Sequence, residues 1–164
     1  MKHILGPNSK SLLTGVQEGD SQPNAVDLRL DKVFKISGGD FILSNEEKIH
    51  RGSTILTTLN DYFELSVGSY EVIFENVINV GEGEAGWVIT RSTLNRNGCF
   101  LTSGLYDSGY NGLMAGVLHV TCGHARIKRG TRIGQYLSFN AEALTMYDGD
   151  YGLNKAHDTK YENS

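Results

Sequence analysis

The 164-residue sequence lacks any apolar run of the roughly 20 residues that a membrane-spanning helix needs. Its N-terminus, Met-Lys-His-Ile-Leu-Gly-Pro-Asn, has only a short apolar step, Ile4-Leu5, and does not read as a signal peptide. Cysteine is scarce: Cys99 and Cys122 are too few for a disulfide framework. These absences predict a reducing, cytoplasmic setting without a membrane partner. There are 2 prolines, no low-complexity tract, no internal repeat and no linker, so one domain is expected. Positive charge is also short. A net charge of −4 excludes a chain built as a whole to grip nucleic acid. One basic cluster, Arg126, Lys128, Arg129 and Arg132, stands against that average. It fits either a solvated turn surface or a site for a compact anion such as a polyphosphate.

What is present is enough for a core. The chain is 39% hydrophobic and 21% charged, which rules out wholesale disorder. Asn8 or Ser9 can cap a short N-terminal helix whose apolar face holds Leu12, Leu13 and Val16. From Val26 to Ile36 the residues alternate, with Val26, Leu28, Leu30, Phe34 and Ile36 on one face and Lys32 as the exception. Residues 40–52 read as an exposed loop. Short β-rich runs then recur at 54–59, 62–67, 70–80, 86–90, 100–106, 113–121 and 133–140, divided by Gly and Asn. That rhythm predicts a mainly β fold, a distorted β-sandwich or jelly roll with a short N-terminal helix. Residues 1–146 form the predicted domain. Residues 147–164 form a polar tail that is either disordered or a flap ordering over a ligand.

The stretch from Gly104 to His119 organises the rest. Two β-like runs flank Asp107-Ser108-Gly109-Tyr110-Asn111-Gly112, whose Asp, Asn and Gly residues suit a chain reversal. The reversal alone does not call for an Asp followed three residues later by a Tyr, so the hairpin is expected to carry chemistry. His119, Cys122 and His124, with Cys99, match no common zinc spacing, and no protein-held metal is expected. No phosphate-cradling glycine loop or dinucleotide fingerprint is present.

Four segments in order carry a resemblance: Ala25-Val26-Asp27-Leu28; Thr90-Arg91-Ser92-Thr93-Leu94-Asn95-Arg96-Asn97-Gly98; the central hairpin; and Arg129-Gly130-Thr131-Arg132-Ile133-Gly134-Gln135. Together they resemble the trimeric dUTPase and dCTP deaminase superfamily, which adopts a dUTPase-like β-clip. The resemblance implies that Asp107 activates water and that Tyr110 packs on the deoxyribose. It implies substrate contacts from Arg91, Ser92, Thr93, Arg96, Gly112 and Gln135, with Asp27 and Arg132 in support. Lys160-Tyr161 resembles the Lys-Tyr of the deaminase lid. A homotrimer acting on a deoxyuridine or deoxycytidine triphosphate is implied, with Mg²⁺ carried by the phosphates.

The two branches of the superfamily differ in the strand after the hairpin. Deaminases use a Glu there, and counting from Asp107 its place is held by Val117; the Arg expected before the Asp is replaced by Leu105. Asp-Ser-Gly-Tyr-Asn-Gly is closer to the dUTPase form. The framework segments are deaminase-like, Leu101 stands where dUTPases tend to carry Asn, and the tail lacks the dUTPase glycine-rich motif. The expectation is hydrolysis of dUTP to dUMP and pyrophosphate by a dUTP diphosphatase. A dCTP deaminase, a bifunctional enzyme and a non-catalytic nucleotide-binding member are the alternatives.

Overall fold

Two tight turns open the chain, Gly6 N–H donating to His3 O and Ser9 N–H to Gly6 O. The predicted N-terminal helix does not form in the computed structural model, which describes residues 1–162 and 164. Its capping groups are used elsewhere. Ser9 Oγ and the amides of Lys10 and Ser11 all donate to the carboxylate of Glu84, at 3.0, 2.8 and 3.1 Å. A buried anion satisfied by this many donors outweighs the weak helix propensity of a dozen residues. Leu12–Leu13 (β1) leaves this cradle as a strand antiparallel to Ile78 and Asn79.

Val26–Ile36 (β2) has the bounds read from its alternation, but not one continuous face. Its register against a later strand shifts between Leu30 and Lys32, the mark of a β-bulge. Val26, Leu28 and Leu30 point into the core, and beyond the bulge it is Val33 that joins them. Phe34 turns outward to a second cluster with Ile73 and Tyr161. The apparent exception at Lys32 therefore follows from the bulge, whose extra residue is Asp31 and after which Lys32 pairs with Ile73.

Ile42–Leu43 (β3) and Lys48–Ile49 (β4) make a small exposed hairpin inside the predicted loop. There follow Ser53–Ile55 (β5), Tyr62–Leu65 (β6), Gly68–Asn79 (β7) and Glu84–Thr90 (β8). A one-turn helix, Ser92–Arg96 (α1), leads to Cys99–Thr102 (β9), Asn111–Val120 (β10), Ala125–Lys128 (β11) and Arg132–Asn140 (β12). The tail ends in Thr159–Glu162 (α2).

The main sheet runs β8-β12-β2-β7-β10-β9, and its two edges meet. Gly86 bridges to Tyr106, Val88 N–H donates to Ser103 Oγ at 3.0 Å, and Leu101 N–H to Thr90 Oγ1 at 2.7 Å. The result is a distorted, nearly closed sheet of the expected mainly β class. Leu28, Phe74, Met114, Leu118, Ile133 and Tyr136 fill its interior at 0% exposure. Each contributes about 1.5–3 kcal/mol by burial.

Glu84 gives the fold a pH dependence. Burial pushes its carboxyl up, but the hydrogen bonds from Ser11, Lys10 and Ser9 outweigh this and hold it below the ordinary value of 4.5. Such a group stabilises the fold above pH 4.5, and the contribution drains away as pH falls through the lower folded value. Glu84→Gln is expected to melt below wild type at pH 7, and the gap between the two melting curves should close on acidification below about pH 4.5. A gap that stays constant with pH would remove Glu84 from this role.

Candidate active site

The residues singled out in the sequence gather into two groups. The first surrounds Asp27, which is fully buried at 0% exposure. Strands β2, β12 and β8 lie side by side here, Gln135 being in register with Asp27 on one side and Ile89 on the other. Gln135 Nε2 donates to Asp27 Oδ1 at 2.9 Å and Gln22 Nε2 to Oδ2 at 3.2 Å. Arg91 Nε and Arg132 Nη1 each lie 3.4 Å from the carboxylate. Arg91 also reaches the Arg132 carbonyl at 3.3 Å. Residues of two separated motifs, with Gln22, are thus oriented by the buried carboxylate of a third, while both guanidiniums keep an outer edge with donors to spare. Beside them, Ser92, Thr93 and Arg96 are exposed on α1.

The basic cluster read from the sequence is not a single site. Arg126 Nε donates to Glu64 at 2.7 Å and Arg129 pairs with Asp31. Arg132 is the member that turns to Asp27.

The second group sits at the central hairpin. Gly109, in the left-handed region at φ +88°, closes the turn. The turn is stapled to the end of β7 by Gly109 N–H to Val80 O and Val80 N–H to Tyr110 O, at 2.9 and 2.8 Å. Beyond the tip β10 lines a cavity of about 490 Å³. Tyr106 and Tyr110 form one wall, Leu113, Ala115 and Val117 the floor, and tail residues Tyr147, Tyr151, His157 and Tyr161 a cover. Tyr110 meets Tyr106 and Tyr147 edge-on at 5.2 and 5.5 Å, and its hydroxyl donates to Leu113 O at 2.9 Å. Gly112 is fixed by close approach: a Cβ there would lie 2.6 Å from the Tyr110 hydroxyl and 2.7 Å from Gly152 Cα. Asp107 is exposed and lines an adjoining hollow that shares Leu105 and Tyr147 with the first.

The tail is folded against this hairpin. Tyr147 N–H donates to Ser108 O and Leu153 N–H to Asn111 O. Tyr161 is 6% exposed and stands edge-on to Phe34 at 5.5 Å. Its hydroxyl and the Lys160 ammonium both turn to Glu71, at 3.4 and 3.3 Å. Burial, and then the Glu71 charge, push the Tyr161 phenol well above its ordinary value, so it stays a donor.

Glu71 was not singled out in the sequence. It pairs across the β7–β10 ladder with Val117, and both line the cavity. Its sequence signal was a lone charge in an otherwise apolar run, Tyr70-Glu71-Val72-Ile73-Phe74. Tyr106 was also missed, because a tyrosine before a turn has no distinguishing pattern.

A family model described as dCTP deaminase-like matches residues 8–140. The chain belongs to the dCTP deaminase-like family. Within it, the chain is 32% identical over 147 residues to the probable deoxyuridine 5'-triphosphate nucleotidohydrolase of Aeropyrum pernix, covering 85% of this chain and 92% of that protein. It is 36% identical over 113 residues to the deoxyuridine 5'-triphosphate nucleotidohydrolase of Methanocaldococcus jannaschii, covering 66% and 72%. The 2'-deoxycytidine 5'-triphosphate deaminase of Agrobacterium tumefaciens shares the fold, with TM-score 0.61 and 16% identity over 94% of this chain. This chain spans 48% of that deaminase's length. The superfamily resemblance read from the four motifs is borne out.

The two groups of site residues lie apart along the closed sheet. On β8, Gly86 is at the Tyr106 end and Arg91 follows the other end, five residues away and roughly 16 Å at strand rise. Asp27→Ala is expected to release Arg91, Arg132 and Gln135 and lower stability by about 2 kcal/mol, the arginines being partly solvated. Urea denaturation measures this. A loss near zero would show that Asp27 does not hold the group together.

Proposed function

We propose that this member of the family hydrolyses dUTP to dUMP and pyrophosphate. The observation that carries the reading is an exposed carboxylate, Asp107, beside a tyrosine-walled cavity whose deaminase position is occupied by Val117. The names of the archaeal relatives support it. Tyr110 offers the wall against which a deoxyribose packs. Asp107 orients a water and accepts its proton as the water oxygen bonds the α-phosphorus. The bond from that phosphorus to its bridging oxygen breaks, and pyrophosphate leaves. Arg91, Arg132, Gln135 and the α1 residues Ser92, Thr93 and Arg96 are suited to the triphosphate.

Mg²⁺ fits this arrangement as a companion of the substrate. Among the described residues no three His, Cys, Asp or Glu side chains converge, and Asp27 is fully engaged by its partners. Mg²⁺ is commonly held by substrate phosphates and waters with few protein ligands, and there it neutralises phosphate charge. The setting proposed is the reducing cytoplasm, where the free thiols Cys99 and Cys122 remain unoxidised.

The spacing of the two groups supports a homotrimer in which the Asp27 group of one subunit faces the hairpin of the next, with the tail from Tyr147 onward as lid. Sedimentation at three times the 18.0 kDa chain mass is the expected result. A monomer that hydrolyses dUTP would overturn the shared site.

A second reading has one specific support: Glu71 brings a carboxylate to the cavity from the strand opposite Val117. In a dCTP deaminase that carboxylate would activate the water that adds at C4. One assay separates the readings. Pyrophosphate released from dUTP, lost by 10²–10⁴-fold or so in Asp107→Asn with dUTP binding retained, supports the hydrolase. Ammonia released from dCTP and abolished by Glu71→Gln supports the deaminase. Unchanged turnover in Asp107→Asn would refute its role.

A further inference from the structure

Strand β10 is paired to β9 only from Val117 to Val120. Nearer the hairpin tip the two strands splay, and Tyr106 fills the gap. Its ring is 7% exposed and stands edge-on to Tyr110 and Tyr136, at 5.2 and 5.8 Å. Its hydroxyl makes two bonds to one residue, donating to Ala115 O at 2.9 Å and accepting from Ala115 N–H at 2.9 Å. Burial raises the phenol far above its ordinary value, so the proton it donates is present at neutral pH.

A donor and an acceptor side by side, presented to one residue's C=O and N–H, are also what a pyrimidine edge offers. Uracil presents N3–H and O4; cytosine presents N4–H and N3. Ala115 lies on the floor of the same cavity. We propose that the Tyr106 hydroxyl is a built-in competitor of the base: it occupies the hydrogen-bonding edge of β10 at Ala115, and a pyrimidine nucleotide binds there by taking both bonds over. The inference rests on reading the cavity as a pyrimidine site.

The arrangement sets a threshold for specificity. A base that supplies both donor and acceptor exchanges evenly with the hydroxyl. One that supplies a single partner leaves a buried backbone group unpaired, and the exchange is unfavourable. Tyr106 is in this sense a specificity-determining residue acting before chemistry.

Tyr106→Phe keeps the ring and removes the competitor, leaving the Ala115 groups unanswered until a base arrives. The dUTP KM is expected to fall, and the Kd for dUMP by calorimetry to tighten, by about 3- to 30-fold with kcat unchanged. Tyr136→Phe touches the same ring but removes a hydroxyl without a partner among the described residues; it should leave KM and Kd at wild-type values. Equal or weaker affinity in Tyr106→Phe overturns the proposal, since the hydroxyl would then be scaffold or a contact to the bound base. If neither protein hydrolyses dUTP, the hydrolase reading fails while calorimetry with dUMP and dCMP still decides the role of Tyr106. Binding of neither nucleotide by either protein overturns it. Should the variant not fold, ¹³C-labelled tyrosine in the wild type reports directly. The Tyr106 ζ-carbon resonance should shift on saturation with dUMP, and an unmoved resonance overturns the exchange.

Discussion

A ten-residue strand beside a four-residue neighbour leaves part of its hydrogen-bonding edge unanswered, and buried backbone groups do not stay unanswered. That mismatch between β10 and β9 shapes the cavity end of the molecule. The sheet closes through Gly86 and Tyr106 instead of through a continuous ladder. The chain between Thr102 and Asn111 swings away, and the opening so formed is walled by tyrosines whose rings can be buried while their hydroxyls find partners. A fully paired barrel of the same strands would have no hollow at the hairpin.

At the other end the organising element is electrostatic. Asp27 is a charge without solvent, tolerable because two guanidiniums and two amides surround it. The sheet order puts β2 between β12 and β7 and sets β8 beyond β12. Residues far apart in sequence therefore face one carboxylate from neighbouring strands. Arg29 repeats the device, donating to Asp20 through Nη2 at 2.7 Å and raised in basicity by that bond. These charges tie the N-terminal loop to the sheet.

Local alternation was enough to place β2 at its true bounds and to give most later strands within a few residues. The bulge in β2 was not legible, because Lys32 in an apolar alternation reads as an exception and not as a change of face. The N-terminal helix was misread for a non-local reason: the cap candidate Ser9 and the amide of Lys10 are drawn to Glu84, more than seventy residues away. Asp107 and Tyr110 were legible as candidates because motif order singled them out. Glu71 and Tyr106 were not, since their meaning lies in a cross-strand register and in a hydrogen bond to Ala115 that no spacing encodes. Composition left the tail open between disorder and a flap, because what orders it is non-local: Tyr161 packs on Phe34 and Ile73, and the Tyr147 and Leu153 amides bond to the hairpin.

That anchor alters the thermodynamics of anything entering the cavity. A segment that becomes ordered only on meeting its ligand subtracts its lost conformational entropy from the affinity. Here the segment reaching Tyr161 is already ordered by Lys32 Nζ on the Tyr161 carbonyl, by Glu71 on its hydroxyl and by the Phe34 ring. The entropy is surrendered when the chain folds. A ligand bound beside an already ordered tail is therefore spared that entropy, which was lost once, on folding.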